Sequence, residues 1–253
     1  ILPDHPPELT ETQNTALAAV RKAAAEGFVP ILLEGVTSSG KTEIYLQAVA
    51  ETVRRHKTAL VLVPEIALIS QMERCFRARF GEQIAVLHSG LSAGERLDQW
   101  MRILRGEAAI VIGARSAIFA PLREIGLIVV DEEHDPSYKQ DTQLRYNARD
   151  LAVVRAKLNR CPALLGSATP SLQSYYNTVN GRFTHIRMME RVTAHPLPRV
   201  DIVDLASVRQ ERGLRRHLTP ELIDAVGQTL ERGEQTLLFL NRRGYAPYPH
   251  CAS

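Results

Sequence analysis

The sequence predicts an α/β fold built on a doubly wound parallel sheet. Short apolar runs alternate along the chain with segments of helical periodicity. These runs are apolar throughout, which is typical of strands that are buried on both faces by flanking helices. A sheet of this kind binds its ligands beyond the carboxyl ends of its strands. Functional residues are therefore expected directly after the apolar runs.

The individual elements follow from this alternation. The apolar runs expected to form strands are Val29–Leu33, Thr58–Val63, Gln83–Leu87, Ala108–Ile112, Leu127–Val130 and Ala163–Leu165. The helical patterns are Thr10–Glu26, Lys41–Arg54, Glu65–Phe80, Ala93–Arg105 and Asn147–Asn159. Thr10 or Thr12 is a suitable cap for the first helix, and Gly27 is expected to end it.

The chain changes character near Arg191. Prolines at 196 and 198 and the basic run at 209–217 indicate a connector. A helix over Leu218–Leu230, with Thr219 as its cap, and a buried strand over Thr236–Leu240 would then begin a second α/β unit. We therefore expect a linker at 1–9, a main domain at 10–190, a connector at 191–217 and the incomplete start of a second domain at 218–253.

Composition narrows the class of protein. The chain has 253 residues, of which 45% are hydrophobic and 23% charged, which is typical of a folded globular protein. A net charge of +3 does not by itself identify a nucleic-acid binder. No apolar run reaches the roughly 18 residues of a membrane span, and no secretory leader is visible. Cys75, Cys161 and Cys251 are too dispersed for a disulfide framework or a zinc site, so a cytoplasmic location is expected.

The segment from Gly35 to Thr42 fits the phosphate-loop pattern and lies between a predicted strand and a predicted helix. Its residues are Gly35, Val36, Thr37, Ser38, Ser39, Gly40, Lys41 and Thr42. Small residues allow backbone N–H groups to surround phosphate oxygens at a helix N-terminus. Lys41 would contact the β- and γ-phosphates and Thr42 would bind Mg²⁺. The alternative is a flexible turn with an exposed lysine.

A second candidate motif follows the apolar run that ends at Val130. Asp131 would hold Mg²⁺ through its water shell, and Glu132 would orient and deprotonate an attacking water. The alternative is an ordinary acidic turn after a strand. Ser167 and Thr169 follow the next apolar run and could hydrogen-bond His134, relaying the state of the nucleotide.

The order of these motifs resembles the helicases of superfamily 2, with DEEH as a variant of the DEAH box. Further stretches resemble the PriA family of replication-restart helicases. They are LVPEIAL (62–68), VLHSGLSAGER (86–96), IVIGARSAIFAP (110–121), DEEHDPSYKQ (131–140), RYNARDLAV (145–153), LLGSATPSL (164–172) and LLFLNRRGYAP (237–247). The resemblance implies a RecA-like fold and an ATP- and Mg²⁺-dependent DNA helicase that moves 3′ to 5′ and restarts stalled forks. It implies forked and single-stranded DNA, primosome proteins and single-strand binding protein as partners, and no membrane.

The resemblance also assigns roles to individual residues. Gln13 would lie near the nucleotide base. The residues that would line the DNA track are Glu65, His88, Ser89, Gly90, Arg115 and Ser116. The residues of the aromatic-rich loop that would couple DNA to hydrolysis are Tyr138, Arg145, Tyr146 and Arg149. From the residues alone, Arg115 could be a solvated surface residue, and Tyr138 and Tyr146 could pack rather than stack on bases. Arg74, Arg77 and Arg79 are expected to form a solvated helix face.

The chain departs from the family at several positions. Ser38, Ala114 and Leu144 stand where the family usually has glycine, threonine and tryptophan. Compared with that family, we expect the amino-terminal DNA-binding domains, the cysteine-rich zinc insertion and the later motifs with the arginine finger to be missing here, and Arg242-Arg243 not to replace that finger. We therefore expect a fragment that binds ATP but hydrolyses it slowly and unwinds nothing. The alternatives are a nucleotide-binding interaction module without turnover and another superfamily 2 translocase.

Overall fold

A computed structural model describes residues 6–142, 144–192, 199–205 and 218–239. The chain divides into two compact units, residues 1–195 and 196–253. The expected prolines at 196 and 198, the basic run at 209–217, the arginine pair at 242–243 and Cys251 lie outside the described residues.

The first unit contains a seven-stranded sheet in which every neighbouring pair is parallel. Its strands are β1 (Pro30–Gly35), β2 (Thr58–Leu62), β3 (Ile84–Leu87), β4 (Ile110–Gly113), β5 (Ile125–Val130), β8 (Ala163–Ser167) and β9 (Thr184–Met188). Across the sheet the order is β3-β4-β2-β5-β8-β1-β9. A short antiparallel hairpin joins β6 (Lys139–Gln140) to β7 (Tyr146–Asn147) outside this sheet.

Helices connect the strands. They are α1 (Glu11–Glu26), α2 (Lys41–Arg54), α3 (Ile66–Phe80), α4 (Ala93–Leu104), α5 (Ala148–Asn159) and α6 (Leu172–Val179), with short 3-10 helices at Arg115–Phe119 and Pro136–Tyr138. In the second unit, α7 spans Pro220–Glu231. None of the helices in the described ranges has the length and apolar character needed to cross a membrane.

The start of α1 shows how local sequence sets an element boundary. Thr10, not Thr12, is the cap, and its hydroxyl accepts a hydrogen bond from the Gln13 backbone N–H. The Gln13 side chain accepts in return from the Thr10 backbone N–H, which completes a capping box. Gly27 adopts φ 98°, a conformation that favours glycine, and ends the helix as predicted.

The core consists of two apolar layers, one on each face of the sheet. Successive residues of a strand point to opposite faces, so Ile31 and Leu33 join one layer and Leu32 joins the other. Both layers are packed with fully buried aliphatic side chains. The predicted doubly wound parallel sheet is therefore confirmed.

Some elements differ from the sequence prediction. The strand β9 and the helix α6 were not predicted. β9 is an edge strand, and its exposed Thr184 and Arg187 interrupt the apolar pattern that would have indicated it. The predicted strand Thr236–Leu240 is wrong over its described part: Thr236–Phe239 is irregular and Leu237 is 91% exposed. A strand needs a hydrogen-bonded neighbour, and the described residues of the second unit contain no strand to pair with.

Candidate active site and adjoining groove

The loop between β1 and α2 has the backbone of an anion-binding turn. The Ser39 N–H donates to the Val36 carbonyl at 3.0 Å, and Gly40 at φ 85° starts α2. The Lys41 ammonium donates to the Gly35 carbonyl at 2.7 Å, so the side chain folds back over its own loop. The loop thus presents backbone donors, a helix N-terminus and a cation at one place.

Two glycines of this loop are required by close packing. A Cβ at Gly35 would lie 2.6 Å from Ser39 Oγ, and a Cβ at Gly40 would lie 2.2 Å from Gln13 Nε2. Ser38 adopts φ 66°, the left-handed conformation that glycine tolerates best, so a serine here strains the turn. Among the described residues, the buried Ser39 Oγ has no hydrogen-bond partner. An orphaned hydroxyl in a glycine-lined cradle fits an oxygen-rich anion such as phosphate.

Gln13 ties α1 to this loop. Its side chain is 4% exposed, and its amide nitrogen donates to the Ser39 carbonyl at 3.1 Å. Since its amide oxygen already accepts from the Thr10 N–H, both ends of the side chain are used within the protein. Gln13 therefore fixes the position of the loop, and its predicted place beside a nucleotide base stays a prediction.

Asp131 lies at the carboxyl end of β5, where its N–H donates to the Leu62 carbonyl of β2 at 2.9 Å. The Tyr45 hydroxyl donates to Asp131 Oδ1 at 3.0 Å, and the Tyr138 hydroxyl donates to the Asp131 carbonyl at 2.6 Å. Burial, followed by the neighbouring charge of Glu132, raises the pKa of the Asp131 carboxyl to about 6, against the opposing effects of Tyr45 and Lys41. A carboxylate desolvated in this way is suited to bind a cation, because the cation would stabilise its ionised form.

Glu132 and His134 lie nearer the surface. Glu132 has φ 44°, and its Oε2 lies 3.5 Å from His134 Nδ1. His134 Nδ1 is 2.8 Å from Ser167 Oγ, and its Nε2 is 3.4 Å from Thr169 Oγ1. The strand ends of β5 and β8 are thus joined through one imidazole, in the arrangement that the sequence suggested.

The role of Glu133, the third acidic residue of the motif, is not apparent from the sequence. Its side chain is fully buried and accepts from the Ser171 N–H at 2.7 Å and the Ser174 hydroxyl at 2.7 Å. It also accepts from Arg149 at 3.3 Å. Glu133 therefore holds the N-terminus of α6 against the start of α5. Nothing in the run of acidic residues distinguishes this buried carboxylate from its two neighbours.

Three of the predicted DNA-contacting or solvated side chains lie inside the protein. Arg149 is 8% exposed and bonds Glu133, Ser171 and Gln173. Tyr138 is 1% exposed, so it packs rather than presenting a ring to a base. Arg79 is not solvated: it pairs with Glu43 of α2 at 2.6 Å.

Tyr146 and the other two arginines of the predicted solvated helix face, Arg74 and Arg77, lie nearer the surface. Tyr146 is half-buried edge-on against Phe119. Arg77 pairs with Glu73 and Glu82, whereas Arg74 is exposed as expected.

A groove of about 580 Å³ lies beside the motif. Its described lining residues are Leu87, His88, Ser89, Arg96, Trp100, Ala114, Arg115, Ser116, Gln140, Thr142, Leu144 and Tyr146. The structure brings together five predicted residues (His88, Ser89, Arg115, Ser116 and Tyr146) and adds Arg96 and Trp100, which the sequence analysis missed. Glu65, Gly90 and Arg145 are exposed but do not line it. The described lining residues include Arg96 and Arg115 but no carboxylate, so the groove is cationic.

Arg115 connects this groove to the acidic motif. Its guanidinium donates to the carbonyls of Ser137 at 3.2 Å and Lys139 at 2.9 Å. These carbonyls flank Tyr138, whose hydroxyl reaches the Asp131 backbone. The groove and the carboxylate site therefore share one loop.

No cluster of three or more His, Cys, Asp or Glu side chains able to hold a metal occurs in the described part of the chain. Mg²⁺ bound with a nucleotide keeps several waters and needs only one or two protein oxygens. The Thr42 hydroxyl and the Asp131 carboxylate are of the right chemical type for that role.

Comparison with known proteins identifies the family of the chain. Residues 10–178 match the DEAD/DEAH box helicase family. The chain is 45% identical to replication restart protein PriA of Bacillus subtilis (strain 168) over 97% of its own length and 31% of that protein. It is 47% identical to PriA of Synechocystis sp. over 98% of its own length and 30% of that protein.

These matches confirm the predicted resemblance to the PriA family, although the chain spans only about a third of the length of these relatives. The fold is also similar to that of RecG bound to a three-way DNA junction, with a TM-score of 0.62 and 21% identity over 90% of this chain and 29% of that one. The Hef helicase domain of Pyrococcus furiosus gives a TM-score of 0.52 over 87% of this chain and 47% of its own. The chain belongs to the DEAD/DEAH box helicase family.

Proposed function

We propose that the carboxyl edge of the sheet binds ATP with Mg²⁺ and couples its hydrolysis to a single DNA strand held in the adjoining groove. The observation that carries this proposal is the cradle of Gly35, Gly40 and the orphaned Ser39 hydroxyl beside Lys41. Membership of the helicase family supports the use of a nucleotide and Mg²⁺.

The residues would divide the chemistry among them. The loop N–H groups and the α2 N-terminus would bind the phosphates, and Lys41 would leave the Gly35 carbonyl to reach the β- and γ-phosphates. Thr42 and Asp131 would hold Mg²⁺, which supplies charge stabilisation when bound. Glu132, more exposed than Asp131, would accept the proton of the attacking water. His134 would transmit the state of the nucleotide to the end of β8 through its hydrogen bonds to Ser167 and Thr169.

The groove is proposed to hold the DNA. Arg96 and Arg115 would neutralise phosphates, while Trp100 and Tyr146 offer ring faces or edges to bases. Similarity to PriA supports a 3′-to-5′ helicase of replication restart that acts on forked DNA in the cytoplasm, with primosome proteins and single-strand binding protein as partners. The junction-bound RecG structure has the same fold and supports a branched DNA substrate.

We expect Mg²⁺-ADP to raise the melting temperature of the wild-type chain and of Lys22→Ala, but much less that of Lys41→Ala. A ligand that binds only the folded state stabilises it by about 2.7 kcal/mol at a hundredfold excess over Kd. Lys22 is an exposed lysine of α1, which makes it the matched control. Equal nucleotide-dependent shifts in all three proteins would refute the phosphate-loop assignment.

The raised pKa of the Asp131 carboxyl predicts that the free energy of unfolding falls as the pH rises. Because the folded pKa of about 6 lies above the reference of 3.8, stability from the protonated carboxyl is present at low pH and is lost as pH rises through 6. In nucleotide-free protein, Asp131→Asn should match wild type near pH 4 and exceed it by about 3 kcal/mol at pH 8. Urea unfolding at both pH values measures this, and a pH-independent difference would contradict it.

DNA binding to the groove should quench Trp100, the only tryptophan in the sequence. Titration with oligo-dT at several salt concentrations gives the slope of log K against log salt. Arg96→Ala and Arg115→Ala should each lower its magnitude by about 0.7, the loss of one phosphate contact on a single strand. Arg54→Ala, an exposed arginine at the far end of α2, is the control. Slopes that do not differ from wild type in the two groove variants would remove this groove from the DNA path.

A further inference from the structure

We propose that Tyr45 is a positioning residue that orients the Asp131 carboxylate for Mg²⁺, an inference that rests on the proposed nucleotide site. Tyr45 lies in the first two turns of α2, four positions after Lys41. The sequence motifs described above give Tyr45 no role. Its hydroxyl contacts the Asp131 carboxylate, so its effect on the metal would pass through Asp131.

The contact is made inside the protein. Tyr45 is 0% exposed, and its hydroxyl donates to Asp131 Oδ1 at 3.0 Å. A buried phenol has few rotamers available, so its oxygen is a fixed point. With Oδ1 held by the phenol, the carboxylate cannot rotate freely and Oδ2 is left for the water shell of a cation. Metal-binding carboxylates are commonly oriented by such hydrogen bonds from outside the ligand set.

The neighbouring strand is shaped to admit the phenol. A Cβ at Gly166 of β8 would lie 1.7 Å from the Tyr45 hydroxyl oxygen and 2.8 Å from Cζ. Real Cβ atoms do not approach that closely, so only glycine leaves room for the ring. The Gly166 carbonyl also accepts from the Glu133 N–H at 3.0 Å. The Tyr45 hydroxyl is therefore the point at which α2, the acidic motif and β8 meet.

A purely structural tyrosine at this position would also satisfy its hydroxyl with a hydrogen bond. The two roles differ in what a phenylalanine would change. A structural role predicts lower stability with unchanged preference for Mg²⁺. A positioning role predicts a selective loss of the Mg²⁺-dependent part of nucleotide affinity, because only that part depends on the orientation of the carboxylate.

The experiment is calorimetric titration of ADP into the full chain, once with excess Mg²⁺ and once with EDTA. Wild type is compared with Tyr45→Phe, with Gly166→Ala as a second way to displace the phenol, and with Thr52→Val as the control. Thr52 is a buried residue of the same helix, and its hydroxyl donates to the Ala48 carbonyl within that helix and not to the acidic motif. Melting temperatures are recorded so that each titration is run on folded protein.

We expect the Kd for ADP with Mg²⁺ to rise about tenfold in Tyr45→Phe, with the Kd in EDTA unchanged, and Thr52→Val to behave as wild type. Gly166→Ala should show the same selective loss. An unchanged Mg²⁺ effect in folded Tyr45→Phe, or equal losses with and without Mg²⁺, would overturn the positioning role while leaving the nucleotide site intact. Wild type that binds no ADP under either condition would overturn the proposed function and this inference together.

Discussion

Much of the site depends on the cost of burying one carboxylate. Asp131 is desolvated at the end of β5, and its pKa is raised to about 6, so the folded chain pays to keep it ionised near neutral pH. Two buried phenols fix it in place: the Tyr45 hydroxyl donates to the Asp131 carboxylate and the Tyr138 hydroxyl donates to the Asp131 main-chain carbonyl. A group held at such a cost is characteristic of a functional site.

The parallel sheet explains why so many distant residues reach this carboxylate. The carboxyl ends of β1, β2, β4, β5 and β8 share one edge, so segments far apart in sequence become neighbours. Local packing then determines the details. The missing side chains of Gly166 and Gly40 leave room for Tyr45 and Gln13 respectively. The Arg115 guanidinium bonds the loop that follows the acidic motif and so connects it to the groove. The same edge thus combines an anion cradle, a carboxylate site and a cationic groove.

Features written in short stretches of sequence could be predicted. Uninterrupted apolar runs marked the strands of the sheet centre, and the phosphate-loop pattern marked the turn before α2. Features that depend on tertiary contacts could not. Edge strand β9 lacks a continuous apolar pattern, Glu133 looks like its acidic neighbours, and Arg79 looks solvated until α2 brings Glu43 beside it. Trp100 and Arg96 join the groove only because α4 packs beside β3, and the role of Tyr45 depends on the absent side chain of Gly166.

The most direct test of the central claim is a crystal structure of this chain with Mg²⁺-ADP. We expect the β-phosphate inside the loop from Val36 to Gly40, with the Lys41 ammonium moved from the Gly35 carbonyl to a phosphate oxygen. Mg²⁺ should lie about 2.1 Å from Thr42 Oγ1, with Asp131 reaching it directly or through water. Nucleotide bound elsewhere, or a Lys41 ammonium that stays on the Gly35 carbonyl in crystals saturated with Mg²⁺-ADP, would refute the proposed nucleotide site.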